Sequence, residues 1–398
     1  MKYNFKDIKN RRNSGSVKYM QMKESNPNVG ENIVPFTVAD LDFETAPEIR
    51  SALKDFVENN PFGYTIATDS YYDSFISWMD RRHSFKVLKE WIIPTDGVLT
   101  AIDIGIKTLT EKEDGVIVFT PIYPHFYRLI ESNHRKIVRS KLKVENNSYS
   151  IDYLGFEEKC SQKENKLLIL CSPHNPVGRV WSKKELKKLT SITKKHGVKI
   201  ISDEIHFDII MDKNEHTVLF NVDEDIKDDV ILCTAPSKSF NLASLKLANT
   251  IIPSEEIRTK FQEKAEEGQI FPNNAIGYKA CEISYNKSED WIDELNLLVY
   301  SNHNFIKEYL EKNIPEIKTF DLEGTYLQWL DFSGLGLSEE ALNELLNKKA
   351  QVFLNDGIMF GKEGKLFKRM NIAYPRKYIE EALKRLEAAI REREKNFG

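Results

Sequence analysis

The sequence is poor in the features that mark secreted, membrane-spanning or nucleic-acid-binding chains. Only four cysteines occur in 398 residues, and Cys160, Cys171, Cys233 and Cys281 are widely scattered, with no C-x-x-C pair and no histidine at zinc-finger spacing. That scatter argues against a disulfide framework or a structural zinc and for a reducing, cytoplasmic setting. Long apolar runs are missing too. Val116-Ile117-Val118-Phe119 and Leu167 to Cys171 are strand-length, far below the ~20 residues of a spanning helix, so no membrane association is expected. Met1 to Arg12 is charged throughout and has no apolar stretch, so no secretory signal is expected. Lysine and arginine number 57 against 61 acids, a net charge of −4, without the basic excess of a nucleic-acid binder. No G-x-G-x-x-G follows a strand, Gly357 to Lys362 falls short of a P-loop, and no H-E-x-x-H appears, so dinucleotide, P-loop and zincin chemistry and any catalytic metal find no support.

What is present is an ordinary globular composition, 41% hydrophobic and 30% charged, on a chain long enough for a sizeable core. Short apolar runs at Gly115 to Thr120, Lys166 to Ser172, Val198 to Asp203, Asp229 to Thr234 and Leu247 to Ile252 predict buried strands. Between the second and third, Lys183 to His196 carries Leu186, Leu189 and Ile192 on one face. Ser182 and Glu185 have capping-box spacing, and Gly197 closes the far end. Strand, helix, strand implies a parallel sheet with helices on its faces. Charge-rich helical patterns at 287–313, 338–350 and 378–391 and strand-like runs at 325–331 and 365–372 predict a smaller α+β unit. The expected division is a large domain over 48–288 and a small one from 1–47 with 289–398.

The chemistry gathers where strands end, since open α/β sheets bind ligands beyond the carboxyl ends of their strands. Tyr123 follows the first run, Asn175 the second, Asp203 closes the third and Lys238 follows the fourth. Asp96-Gly97-Val98-Leu99-Thr100 opens a further helix, and a helix N-terminus entered through glycine is a phosphate seat. An aromatic, an amide, a buried carboxylate, a lysine and an anion seat together suit pyridoxal 5′-phosphate. That cofactor needs a Schiff-base lysine, an acid opposite its pyridine nitrogen, a ring to stack on and donors for its oxygens.

The set Pro121-x-Tyr123, Ser172-Pro-His-Asn-Pro-Val-Gly178, Asp203-Glu-Ile-His206 and Ser237-Lys238-Ser-Phe-Asn241 resembles the class I/II aminotransferase superfamily of fold-type I pyridoxal-phosphate enzymes. Within it the chain looks most like the MalY/PatB-type cystathionine β-lyases. Val38 to Phe43, Phe62-Gly63-Tyr64-Thr65, Gly324 to Asp331 and Arg369-Met-Asn371 extend the match over nearly the whole chain. The resemblance implies the fold-type I architecture, a large domain with a mostly parallel sheet flanked by helices plus a small α+β domain. It implies that Lys238 forms the Schiff base, Tyr123 stacks on the pyridine ring, Asn175 bonds the phenolic oxygen and Asp203 keeps the ring nitrogen protonated. His206 stands where many aminotransferases have tyrosine. Gly97, Val98, Leu99 and Ser237 would contact the phosphate, with Tyr64 reaching across from a second subunit of a homodimer. Ala235 lies where many relatives carry a phosphate-binding serine, and Lys246 falls at the spacing of a phosphate-binding arginine. Arg369 matches the clamp for the substrate α-carboxylate, with Ala39 and Tyr64 beside it.

The expected activity is β-elimination on cystathionine or another L-cysteine S-conjugate, giving a thiol, pyruvate and ammonia. An aminotransferase shares the same constellation and is the alternative. A regulatory protein that binds the cofactor without catalysis is disfavoured by the intact lysine, aspartate and arginine.

Overall fold

A computed structural model describes residues 2–270 and 274–397. Its main sheet is built from β1 (Ile92–Thr95), β2 (Gly115–Thr120), β3 (Lys136–Lys141), β6 (Asn165–Cys171), β7 (Lys199–Asp203), β8 (Val230–Thr234) and β9 (Ala248–Ile251). The hairpin of β4 (Lys143–Glu145) and β5 (Ser148–Ser150) stands apart. The order across the sheet is β1-β9-β8-β7-β6-β2-β3. Strands β3, β2, β6, β7 and β8 pair in parallel, whereas β9 runs antiparallel to both β8 and β1. Each of the five runs read as strands is one, to within a residue or so at either end, and the sheet is mostly parallel as expected.

Both faces of the sheet are covered, which is why its strands read as unbroken apolar runs rather than alternating ones. Successive side chains still go to opposite sides. Val116, Val118, Leu167, Ile169, Ile201 and Ile231 pack with helices Val98–Leu109, Pro124–Ser132 and Glu255–Glu267. Ile117, Phe119, Leu168, Leu170, Ile200 and Leu232 face the other layer, with Phe156, Leu186 and Leu189 of helices Tyr153–Cys160 and Lys183–His196. The latter helix begins in the capping box of Ser182 and Glu185 and ends at Gly197 with φ 68°, a left-handed turn that suits glycine.

A second sheet, β10 (Lys318–Thr319), β11 (Leu327–Asp331), β12 (Asn355–Asp356) and β13 (Phe367–Asn371), is ordered β10-β11-β13-β12 and wholly antiparallel. Helices Glu289–Asn313 and Arg376–Phe397 accompany it. The N-terminal segment joins here: Phe36 N–H donates to the Phe353 carbonyl at 2.9 Å, and Asn371 N–H to the Phe36 carbonyl at 2.8 Å. Among the described residues no helix is long and apolar enough to cross a membrane.

Candidate active site

Five strands, β1, β2, β6, β7 and β8, present their carboxyl ends to one edge, and the residues that follow them line a cavity of about 590 Å³. Gly97, Val98 and Leu99 come from β1, Tyr123 from β2, Asn175 from β6, Asp203 and His206 from β7, and Ser237 and Lys238 from β8. Lys246 enters just ahead of β9, Ala39 from the N-terminal segment and Arg369 from β13 of the second sheet. Tyr64 lies away from the cavity and is wholly exposed. A larger groove of about 750 Å³ opens beside Arg82, Asp208 and His216, and none of these strand-end residues reaches it.

Lys238 sits in the single turn Pro236–Ser239 that follows β8, and its Nζ donates to the Ala39 carbonyl at 2.8 Å. Burial pulls its pKa down to about 8, with the positive charge of Arg369 adding to the effect and Asp40 and Asp203 opposing it. An amine so tuned is a usable base near neutral pH. Asp203 closes β7; its Oδ1 accepts from the Ile205 N–H at 3.1 Å. Burial pushes this carboxyl up to about 7, because the low-dielectric setting penalises its charge.

Arg369 is buried at 4% exposure. One terminal nitrogen donates to Asn175 Oδ1 at 2.9 Å and the other to Asn355 Oδ1 at 2.8 Å, and the guanidinium lies 4.8 Å over the Phe360 ring. Burial lowers its pKa only to about 10, so it stays cationic at neutral pH. His206 is buried edge-on to Tyr326 at 5.9 Å. Its pKa falls well below normal, through burial first and then the charges of Lys238 and Arg369, so the ring is neutral.

The donor set fits pyridoxal phosphate and an amino acid. Asp203 is a buried acid with no cation at ion-pair distance among the described residues, which suits a protonated ring nitrogen as its partner. Arg369 Nε is buried without a protein acceptor, as a carboxylate clamp requires. Asn175 spends its oxygen on Arg369, which leaves its amide N–H₂ for an oxygen acceptor. Helix Val98–Leu109 starts at Gly97 with φ 93°, no side-chain cap and no acid in its first turn, so its N–H groups are open to an anion. Ala235 is buried in the apolar layer away from the cavity, while Lys246 lines it.

A strap of backbone forms one wall. Val38 holds φ 55°, a left-handed conformation that strains a β-branched residue. Several contacts impose it. Val38 N–H donates to Asn355 Oδ1 at 3.1 Å, and Asn371 donates to the Val38 and Asp40 carbonyls at 2.9 and 2.8 Å. Asn241 brackets Leu41, accepting from its N–H and donating to its carbonyl, each at 2.9 Å. Tyr326 OH donates to the Ala39 carbonyl at 3.0 Å. Behind the strap, fully buried Lys18 pairs with Asp40 and Asp42, each at 3.0 Å, and Arg11 with the same two at 2.9 and 3.1 Å. Asn241 and Tyr326 belong to motifs already singled out, although the motifs alone do not say what they touch. Asn355, Phe360 and Lys18 carry no local signal at all.

The sequence model of class I and II aminotransferases matches residues 31–386. Cystathionine beta-lyase PatB of Bacillus subtilis is 36% identical over 357 residues, 90% of this chain and 92% of that protein. Protein MalY of Escherichia coli is 31% identical over 363 residues, with 90% and 92% covered. Among solved structures, cystalysin from Treponema denticola, which contains a pyridoxal 5′-phosphate cofactor, superposes with a TM-score of 0.97 at 40% identity, covering 98% of this chain and 100% of that one. The PLP-bound C-S lyase from Staphylococcus hominis gives a TM-score of 0.91 at 29% identity, covering 98% of each. With the motifs, the strand-end geometry and matches of this breadth in agreement, the chain belongs to the class I and II aminotransferase family, on the branch that holds PatB and MalY.

Proposed function

We propose that the protein is a pyridoxal-phosphate-dependent carbon–sulfur β-lyase that cleaves cystathionine or other L-cysteine S-conjugates to a thiol, pyruvate and ammonia. The observation that carries this is the meeting of Lys238, Asp203 and Arg369 in one cavity, in a chain whose relatives at 31–36% identity include a cystathionine beta-lyase. The likeness to lyases favours elimination over transamination, which uses the same groups.

When bound, pyridoxal phosphate supplies an aldehyde for the substrate amine and a sink for the electrons released at Cα. The chain does the rest. Arg369, stacked on Phe360 and held by Asn175 and Asn355, takes the α-carboxylate and fixes the substrate's orientation. Lys238, with its amine free and its pKa near 8, removes the Cα proton. Asp203 holds a proton at the pyridine nitrogen. Tyr123 and the neutral His206 would offer the cofactor's ring its contacts, and the N–H groups of Val98 and Leu99 with Ser237 and Lys246 would hold its phosphate. The bond broken on this reading would be Cβ–S, with its electron pair going to sulfur and a proton making the leaving group a thiol.

The reading extends to a homodimer in which Tyr64 of one copy reaches the cavity of the other. Its full exposure, beside Phe62 and Ile66 at 63% and 82%, supports this. It extends also to a two-domain division, 48–288 against 1–47 with 289–398, and to a cytoplasmic location, which four buried free cysteines suit.

The test is incubation of purified holoenzyme with cystathionine, S-conjugates and amino-donor/oxo-acid pairs. Pyruvate without any oxo-acid acceptor is expected, and Lys238→Ala is expected to abolish it. Strict dependence on an acceptor would instead make the protein an aminotransferase.

A further inference from the structure

The cavity holds fewer positive groups than a doubly charged substrate tail requires. Its cations are Lys238, Lys246 and Arg369, and on the lyase reading each is committed: to the reacting amine, to the phosphate and to the α-carboxylate. The two imidazoles that line it, His125 and His206, are both shifted toward their neutral forms by burial. Among the described residues that line the cavity no further cation is left to pair with a second carboxylate, and taking one out of water unpaired is costly.

Another part of the lining has the opposite character. Val17 and Met359 line the cavity while 57% and 44% exposed, and their neighbours Met20 and Ile358 are 53% and 48% exposed. The less exposed Phe360 and Val38 line the same cavity. Gathered apolar side chains at a cavity mouth mark a surface that a ligand covers, and the thioether of Met359 adapts to varied apolar shapes. The segment 61–68, Pro-Phe-Gly-Tyr-Thr-Ile-Ala-Thr, contains no charged residue. If a second copy lends it to the mouth, it adds aromatic and aliphatic surface and still no cation.

We propose that this site, taken as the lyase site argued above, selects L-cysteine S-conjugates whose sulfur carries an uncharged alkyl or aryl group. Conjugates such as cystathionine, whose leaving half bears an ammonium and a carboxylate, are the poorer substrates. For S-benzyl-L-cysteine the balance is substrate plus water giving benzyl mercaptan, pyruvate and ammonia. The Cβ–S pair goes to sulfur, which gains a proton, and water replaces nitrogen on the three-carbon fragment, with no external oxidant or reductant needed. Met359 and Val17 set the preference, through contact with the S-substituent rather than with the reacting atoms.

The experiment compares kcat/KM of the holoenzyme for S-benzyl-L-cysteine and L-cystathionine, with pyruvate as the readout. A preference of at least about 10-fold for the benzyl conjugate is expected, the discrimination that one or two well-packed apolar groups provide. Met359→Lys, at an exposed position that tolerates the change, should shrink that ratio by about 10-fold, and Val17→Lys should shift it in the same direction. Calorimetric titration of cofactor-loaded Lys238→Ala with both compounds should give the same order of affinity without turnover. Equal or better use of cystathionine, with a ratio unmoved by either lysine, overturns the inference. Absence of pyruvate from both compounds overturns the lyase reading instead, and the binding order in Lys238→Ala then still decides whether the mouth selects apolar groups.

Discussion

The amine of Lys238 donates to the carbonyl of Ala39 across 2.8 Å, joining residues 199 positions apart in the chain. The hydrogen bond ties the end of the main sheet to the N-terminal strap, so the Lys238 amine is positioned by backbone that Asn371 of the second sheet and Tyr326 just ahead of it also hold.

Lys18 keeps that strap in place from behind. Lys18→Met should leave Asp40 and Asp42 with Arg11 as their one cation among the described residues, and removing one partner of a buried charge cluster costs ~3–5 kcal/mol. Denaturant unfolding should report a loss of that order. A change within ~0.5 kcal/mol would mean that the cluster contributes nothing to holding the strap.

Asp203 makes stability depend on pH. Its folded pKa, near 7, lies above the ~3.9 of an unfolded aspartate. Its contribution is therefore full below pH ~4 and is lost as pH rises through 7. Asp203→Asn should make the cofactor-free protein more stable than wild type at pH 8 by ~1–3 kcal/mol, with the advantage vanishing near pH 4. Lys238 acts in the other sense: its pKa is depressed to about 8, so its burial penalises the fold below that pH and the penalty fades as pH rises toward ~10.4. Thermal melts from pH 4 to 9 check both signs. The same Asp203→Asn should lower kcat/KM by at least ~100-fold, because a preorganised charge at the reacting system is lost.

Asn355 holds Arg369 and the Val38 N–H with a single oxygen. Asn355→Ala strips the acceptor from both part-buried donors, so stability should fall by ~1–3 kcal/mol. The carboxylate clamp should loosen as well, raising KM by ~10-fold with a smaller change in kcat. A purely structural role would lower stability and leave KM alone.

Ser182 provides a control remote from the cavity. Ser182→Ala removes the cap of helix Lys183–His196 and should cost ~1 kcal/mol in unfolding experiments. Steady-state kcat/KM should not move.

Much of the site is readable from sequence because the family's ligands follow buried parallel strands, and such strands announce themselves as unbroken apolar runs. Leu167 to Cys171 and Val230 to Thr234 are of this kind, and Asn175 and Lys238 fall where those runs stop. Helix Lys183–His196 is readable at both ends because its cap and its closing glycine are local chemistry. Helices Pro47–Asn59 and Asp69–His83 are not, since neither end carries a comparable capping box and closing glycine. Asn355 and Lys18 escape for a different reason: each matters through partners in distant parts of the chain, and no local pattern encodes such a meeting. The antiparallel direction of β9 is equally silent, because Ala-Asn-Thr-Ile reads the same whichever way it runs.

That reversal has a mechanical consequence. Because β9 returns alongside β8, with Thr234 opposite Asn249, the intervening stretch from Ala235 to Leu247 never leaves the reaction edge. One short length of chain thus carries the amine of Lys238, the bracket that Asn241 places around Leu41 and the cation of Lys246. Their mutual phasing is fixed by residue count, so a single-residue insertion anywhere between Lys238 and Lys246 would throw the two lysines and the Asn241 bracket out of step together. The segment behaves as a ruler, and its length should prove less negotiable than most of its side chains.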